Sequence, residues 1–280
     1  MDNKPGTLYI VSTPIGNLND ITNRAIEILN KVDVCAAEDT RKSMKLFNFY
    51  HINTKLTSYH KFSEKSKTKG LIEKLLSGKD VAIISDAGTP LISDPGRYLV
   101  IGAIEENIEI VPIPGASSVI TALSVSGFDL ENFKYFGFLP RKKSSREVLI
   151  KEICTSGITS IVFESGKRIV GLLNEISIRL PEDTKVLVAR EMTKIHETFY
   201  RGTPAHVKEK LASSEFGIKG EFVLIVSAFE KQLEEGFSSE DKRVLDILLD
   251  SLPQKEALSI ASKILNKKRN FLYQNKIKNT

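Results

Sequence analysis

Over the first 127 residues, short β-branched apolar runs alternate with longer stretches whose apolar residues recur three and four apart. The runs at 7–12, 32–37, 81–84 and 108–113 predict buried strands. Between them, Ile21, Ala25, Ile28, Leu29 and Val32 predict a helix that Asp20 can cap. A second helix is expected to end near Leu76. A third spans 95–106, with Asp94 as N-cap and Pro95 in its first turn. Small residues from Pro114 to Ser118 open a fourth that runs to Gly127, and its N-terminal amides could accept an anion. Strand and helix in strict alternation predict a wound, mostly parallel α/β sheet.

From Phe128 the pattern changes. Strands are expected at 135–139, 160–164, 186–190, 198–201 and 222–227, and the third and fourth are close enough for an antiparallel connection. Ser144, Ser145, Arg146 and Glu147 read as a capping box, and Thr203-Pro204 as a cap with a first-turn proline. This half predicts a mixed sheet with helices. After Phe229 a polar linker leads to helical patterns over Val244, Leu245, Ile247, Leu248 and Leu252 and over Ala257, Ile260, Ala261 and Ile264. Residues 263–280 hold six basic side chains (Lys263, Lys267, Lys268, Arg269, Lys276 and Lys278) and no acidic one, as in a small helix-turn-helix module or a solvated basic C-terminus. The expected division is an α/β domain at 1–114, a second at 115–230 and a helical basic tail at 231–280.

Composition narrows the class only slightly. With 41% hydrophobic and 27% charged residues the 280-residue chain reads as an ordinary soluble protein of more than one domain. No apolar run approaches the ~18 residues of a membrane span, and no secretory leader precedes the first strand, so a cytoplasmic protein is expected. Cys35 and Cys154, both in apolar settings, read as buried thiols. A net charge of +5 permits a polyanionic partner without requiring one. Between 47 and 69, aromatics such as Phe47, Phe49, Tyr59 and Phe62 interleave with cations. That pattern suits stacking on bases, and equally a partly packed surface loop.

The candidate chemistry lies in three Pro/Gly loops, each at a strand end. The first carries Pro14, Gly16 and Asn17. The second carries Asp86, Ala87, Gly88, Thr89, Pro90, Asp94, Pro95 and Gly96, and the third Pro114, Ala116 and Ser117. In open α/β sheets ligands bind in the crevice beyond the carboxyl ends of the strands, and backbone groups in such loops can hold a polar ligand. No Gly-x-Gly-x-x-Gly, P-loop, His-Glu-x-x-His or Gly-x-Ser-x-Gly motif occurs, and the four histidines are too scattered for a zinc site, so no metal is expected.

Five motifs in order carry a family resemblance. They are Leu8 through Leu18, Ala36 through Arg41, Ser85-Asp86-Ala87-Gly88-Thr89-Pro90 on to Gly96, Val111 through Ser117, and Gly137 through Lys143. With Ala189 through Lys194, Lys219-Gly220-Glu221 and Leu252 through Ala257, they resemble the ribosomal small-subunit methyltransferase I family of the tetrapyrrole methylase superfamily. The resemblance implies 2'-O-methylation of a cytidine in the decoding region of 16S rRNA. It also implies S-adenosylmethionine as methyl donor, held in a cleft between two α/β domains, and a homodimer; the shared position of the three loops at strand ends predicts that they make the donor site. One departure is Gly166-Lys167, where the family usually has Pro and His between Ser and Arg.

A 2'-hydroxyl is a weak nucleophile, and a nearby base would help it. Glu38, Asp39, Asp86 and Glu221 are the candidates, with none singled out. Arg41, Arg141, Lys142, Lys143 and Arg146 are the candidate RNA phosphate contacts. The alternative is a superfamily enzyme acting on a small molecule or a protein, which leaves the basic tail unexplained. A non-catalytic nucleic-acid-binding protein built on the tail is the third class.

Overall fold

The computed structural model describes residues 4–214, 218–230, 237, 239–265 and 267–277. The chain forms two compact units, Met1–Phe229 and Glu230–Thr280.

The first unit contains two five-stranded sheets. Strands β1 (Leu8–Val11), β2 (Val34–Ala37), β3 (Lys55–Ser58), β4 (Val81–Ile84) and β5 (Ile110–Ile113) form the first, all parallel in the order β3-β2-β4-β1-β5. Because side chains alternate along a strand, Tyr9, Cys35 and Ala82 pack on one side, and Leu8, Val34 and Val81 on the other. Helices α1 (Asn23–Lys31) and α2 (Thr40–Phe49) cover the first face, and α3 (Glu64–Leu76) and α4 (Arg97–Glu105) the second. Burial on both faces is why these strands read as unbroken apolar runs. The exception is the edge strand β3, whose sequence Lys-Leu-Thr-Ser is only partly buried and has no such run.

Helix starts depart from the sequence expectation at three places. Thr22, not Asp20, caps α1, its hydroxyl accepting from the Ala25 amide at 3.1 Å. Residues Leu18–Asp20 form a separate 3-10 turn capped by Asn17, which moves the helix start two residues on. Asp94 and Pro95 do not begin α4 either. Leu91 and Ser93 take left-handed backbone (φ 72° and 70°), and the chain enters the helix only after Gly96, whose φ of 136° disfavours a side chain. The Gly96 amide donates to Glu64 of α3 at 3.1 Å. Finally, α6 (Lys143–Ser156) starts one residue before Ser144, with no side-chain cap, so the expected capping box is not formed.

The second sheet runs β6 (Phe133–Phe138), β7 (Thr159–Ser165), β10 (Glu221–Val226), β8 (Val186–Arg190) and β9 (Thr198–Gly202). Only β6 and β7 are parallel, so the sheet is mixed as the pattern predicts. One face packs Val162, Val188, Phe222 and Leu224 against α6, α7 (Gly166–Ser177) and α8 (Pro204–Ala212), the last capped by Thr203 with Pro204 in its first turn. The other face packs Ile161, Leu187, Ala189, Val223 and Ile225 against the short helix α5 (Ser118–Ser124) and against Ile15 from the loop after β1. Ile15 thus brings the first sheet's loops onto the second sheet.

The second unit consists of α9 (Ser239–Ser251), α10 (Gln254–Ile264) and α11 (Arg269–Ile277) around Leu245, Leu258, Ala261 and Leu272. Beyond Glu230 the expected linker, residues 231–236, lies outside the described residues, as do Lys278 and the side chain of Lys276.

Candidate active site

Hydrogen bonds gather the three Pro/Gly loops at the carboxyl ends of the first sheet's strands. Thr13 and Gly88 exchange backbone hydrogen bonds of 2.9 and 3.0 Å. The Thr89 hydroxyl lies 3.1 Å from the Ser12 hydroxyl and donates to the Ala116 carbonyl at 3.1 Å. Gly88 has φ 82°, and a Cβ there would stand 3.2 Å from the Ile15 side chain.

Beside this junction lies a cleft of about 430 Å³. Its first wall includes Asp86, Ala87, Gly88, Thr89, Asp94 and Ser117 from the loops, with Ile15, Glu38 and Lys42. Its second wall comes from the other sheet: Phe138, Phe163, Glu164, Ala189, Met192 and the segment 220–223. Gly16 and Asn17 line a separate cavity. Pro14, Pro90, Pro95 and Gly96 are buried behind the loops, Pro114 is exposed and Ala116 half-buried, and none of these six lines the cleft. The helix after the third loop, α5, has only seven residues, and Ser117 at its N-cap makes no side-chain capping bond.

The cleft is acidic on its first wall, and its carboxylates differ in environment. Asp86 accepts from the Asp39 amide at 2.9 Å and from Lys42 Nζ at 2.6 Å. Asp39 does not line the cleft. It caps α2 and takes a bidentate bond from the Arg41 guanidinium (3.1 and 2.9 Å), which holds its carboxyl down to about 2. Glu38, half-buried and in no ion pair among the described residues, has its pKa raised by burial and then by the Asp86 charge. Burial, with the charges of Glu38 and Asp86 adding to it, pushes Asp94 up to about 6. Glu221 stands exposed at the rim, 2.8 Å from Lys194 Nζ.

Of the expected phosphate contacts, Arg141, Lys142 and Lys143 are exposed, and Arg41 is exposed but paired with Asp39. Arg146 is not a surface cation. Its side chain is 11% exposed and reaches Glu164 at 3.0 Å and Glu175 at 3.3 Å. Glu164, buried, also forms an ion pair with Arg168 at 3.2 Å and accepts from the Ser165 amide at 2.9 Å. Arg168 in turn donates to the carbonyls of Leu139 (2.8 Å) and Pro140 (3.2 Å), tying down the segment just before the Arg141-Lys142-Lys143 cations. The aromatic stretch splits likewise: Phe47 and Tyr59 are core residues, whereas Phe49 and Phe62 are exposed. Nothing local in the sequence marks Ile15, Phe138, Phe163 and Met192 as cleft residues, because there they look like any core position. Lys42, one residue past Arg41, could have been found from its place in the first turn after β2.

Residues 7–208 match the family model of the Tetrapyrrole (Corrin/Porphyrin) Methylases. A protein of Escherichia coli O157:H7 named Ribosomal RNA small subunit methyltransferase I is 42% identical over 273 residues, covering 98% of this chain and 95% of its own length. Its namesake in Halalkalibacterium halodurans is 45% identical over 230 residues, 82% of this chain and 78% of its own. The chain belongs to the ribosomal RNA small subunit methyltransferase I family. Solved structures place this family member in its fold class. A cobalt precorrin-4 methyltransferase aligns with TM-score 0.61 at 17% identity, over 79% of this chain and 94% of its own. The uroporphyrin-III-C-methyltransferase of Thermus thermophilus aligns with TM-score 0.53 at 19% identity, over 80% and 94%. At such identities the likeness speaks for the fold alone.

Proposed function

We infer that this protein transfers a methyl group from S-adenosylmethionine to the 2'-oxygen of a cytidine in the decoding region of small-subunit ribosomal RNA. The observation that carries the reading is 42% identity over 98% of the chain to a relative named as a methyltransferase of small-subunit ribosomal RNA; the 2'-oxygen, the cytidine and the donor are this reading's own step beyond that name. The cleft's composition supports the donor. Its volume suits a small molecule, Ile15, Ile92, Val119, Met192 and Val223 offer apolar surface to an adenine, and Glu38, Asp86 and Asp94 suit a ligand of net positive charge. When bound, S-adenosylmethionine supplies a methyl already activated by its sulfonium.

The chain's own task is placement and proton removal. An in-line displacement needs the ribose oxygen about 3 Å from the methyl carbon, so positioning supplies much of the acceleration. Of the four candidate bases, Asp39 is neutralised by Arg41, Asp86 is held by Lys42, and Glu221 sits at the rim beside Lys194. Glu38 faces the cleft without an ion pair among the described residues and has a raised pKa, so it is the carboxylate best suited to take the hydroxyl proton. Burial raises both thiols, Cys154 to about 11 and Cys35 further, which supports direct transfer over thiol attack on a base.

The same reading gives the protein its setting: the small ribosomal subunit in the cytoplasm, a homodimer, and Arg41, Arg141, Lys142 and Lys143 as phosphate contacts. Among the described residues no helix is long and apolar enough to cross a membrane, and no group of three or more His, Cys, Asp or Glu could hold a metal ion. The deciding experiment is methyl transfer onto small subunits followed by alkaline digestion and mass analysis of the RNA. The product should resist cleavage on the 3' side of the modified cytidine, because that reaction needs a free 2'-hydroxyl. A methyl found only on the base would overturn the assignment.

A further inference from the structure

A second cavity of about 730 Å³ lies behind the cleft. Two loops form the partition. Ile15 and Met192 face the cleft, whereas their chain neighbours Gly16, Asn17, Thr193 and Lys194 face the other cavity. The partition is close-packed: a Cβ on Gly16 would stand 2.6 Å from Thr193 Oγ1 and 2.9 Å from the Met192 carbonyl, and the Asn17 amide donates to Thr193 Oγ1 at 3.0 Å. Its outer loop is over-determined. Glu191 and Thr193 hold left-handed backbone (φ 50° and 63°), and the turn is fastened by Thr193 N to Glu197 Oε2 (2.7 Å) and by Glu191 Oε1, which accepts from the Glu221 amide (2.7 Å). This stiff loop displays Ile195 with 97% of its surface exposed. Rigid presentation of a bare isoleucine makes sense if something docks on it.

Helix α2 links this cavity to the cleft. Lys42 in its first turn lines the cleft, and Phe49 at its end lines the cavity. Arg41, Lys45 and Phe49, four residues apart, share one exposed face about 12 Å long. Phe49 is 54% exposed and braced edge-on by Tyr50 (4.9 Å), whose hydroxyl donates to the Leu18 carbonyl at 2.8 Å. Facing it, the carboxamides of Asn17 and Asn19 keep their Nδ2 groups without a protein acceptor among the described residues. An aromatic face, an exposed aliphatic side chain, amide donors and two cations along the approach are the elements that bind an unstacked nucleobase and the phosphates leading to it.

We propose that this second cavity holds a base flanking the methylated nucleotide, stacked on Phe49 and Ile195, with the intervening strand lying along Arg41 and Lys45. The proposal rests on the RNA-methylating reading above and adds a base-binding subsite to it. In the full-length protein, the double variant Phe49→Ala/Ile195→Ala should raise KM for small ribosomal subunits about 5- to 150-fold, the range set by loss of one base–aromatic stack. Its S-adenosylmethionine affinity by calorimetry should shift less than about twofold, because neither side chain lines the donor cleft. Phe49→Trp/Ile195→Ala should regain most of the loss that the aromatic ring accounts for. A wild-type KM in the double variant overturns the proposal, and so does a loss that tryptophan fails to restore while the melting temperature falls, since that marks a structural role. Failure of the unaltered protein to methylate small-subunit RNA would instead overturn the underlying reading, and the base site with it.

Discussion

If the cleft holds the donor as proposed, Asp94 should make its binding sensitive to pH. In the free protein its carboxyl, raised by burial and by Glu38 and Asp86, titrates at about 6. A ligand of net positive charge favours the ionised form. If only that form binds, the competent fraction is about 9% at pH 5 and about 91% at pH 7, so S-adenosylmethionine affinity should rise about tenfold across that interval. Without the donor the sign reverses for stability. The folded pKa lies above the ordinary value of 3.8, so this group's contribution is complete below about pH 4 and is lost as pH rises through 6. The assay is calorimetric titration with S-adenosylmethionine at several pH values and constant ionic strength, on the wild type and on Asp94→Asn. The wild type should show the tenfold rise, and Asp94→Asn a much flatter profile, because its side chain cannot ionise. A wild-type affinity that is flat from pH 5 to 7, or one that falls, would refute this account of the acidic wall. The same pH dependence in Asp94→Asn would place the titrating group elsewhere.

Other perturbations read different parts of the structure. Glu164→Gln leaves Arg146 and Arg168 facing a neutral group in a largely buried network, and should cost about 3–5 kcal/mol in denaturant unfolding. A loss under about 1 kcal/mol would mean the cluster behaves like a surface pair. Gly88→Val places a β-branched residue at φ 82° against Ile15; it should add about 1–2 kcal/mol of backbone strain and abolish donor binding while unfolding stays cooperative. Unchanged calorimetric affinity in that variant would move the donor away from the loop junction. Replacing Arg141, Lys142 and Lys143 together by Ala should weaken binding to small subunits and flatten its logarithmic salt dependence by up to about three units, sparing the donor. An unaltered salt slope would leave those cations as solvated surface.

Much of the architecture follows from local pattern. Strands β1, β2 and β4 are legible as apolar runs because both faces of a parallel sheet are buried, and the mixed character of the second sheet follows from short spacings such as that between β8 and β9. The loops after β1, β4 and β5 are legible because Pro and Gly forbid regular structure there wherever the rest of the chain goes. Partners, however, are not written in a local pattern. The edge strand β3 has no apolar run to betray it, and Phe47 and Tyr59 look like surface aromatics until packing buries them. Gly96 takes its partner from Glu64, 32 residues away. Arg146 reads as a phosphate contact in sequence, yet Glu164 and Glu175 arrive from β7 and α7 to enclose it. The cleft's second wall and the cavity behind it have the same origin. Ile15 and Met192 are 177 positions apart, and which side of the partition each residue faces depends on two loops meeting. Composition and periodicity determine how a segment is buried. Only the tertiary structure decides against what, because charge pairing, pKa and cavity shape depend on groups that the chain brings together from far along its length.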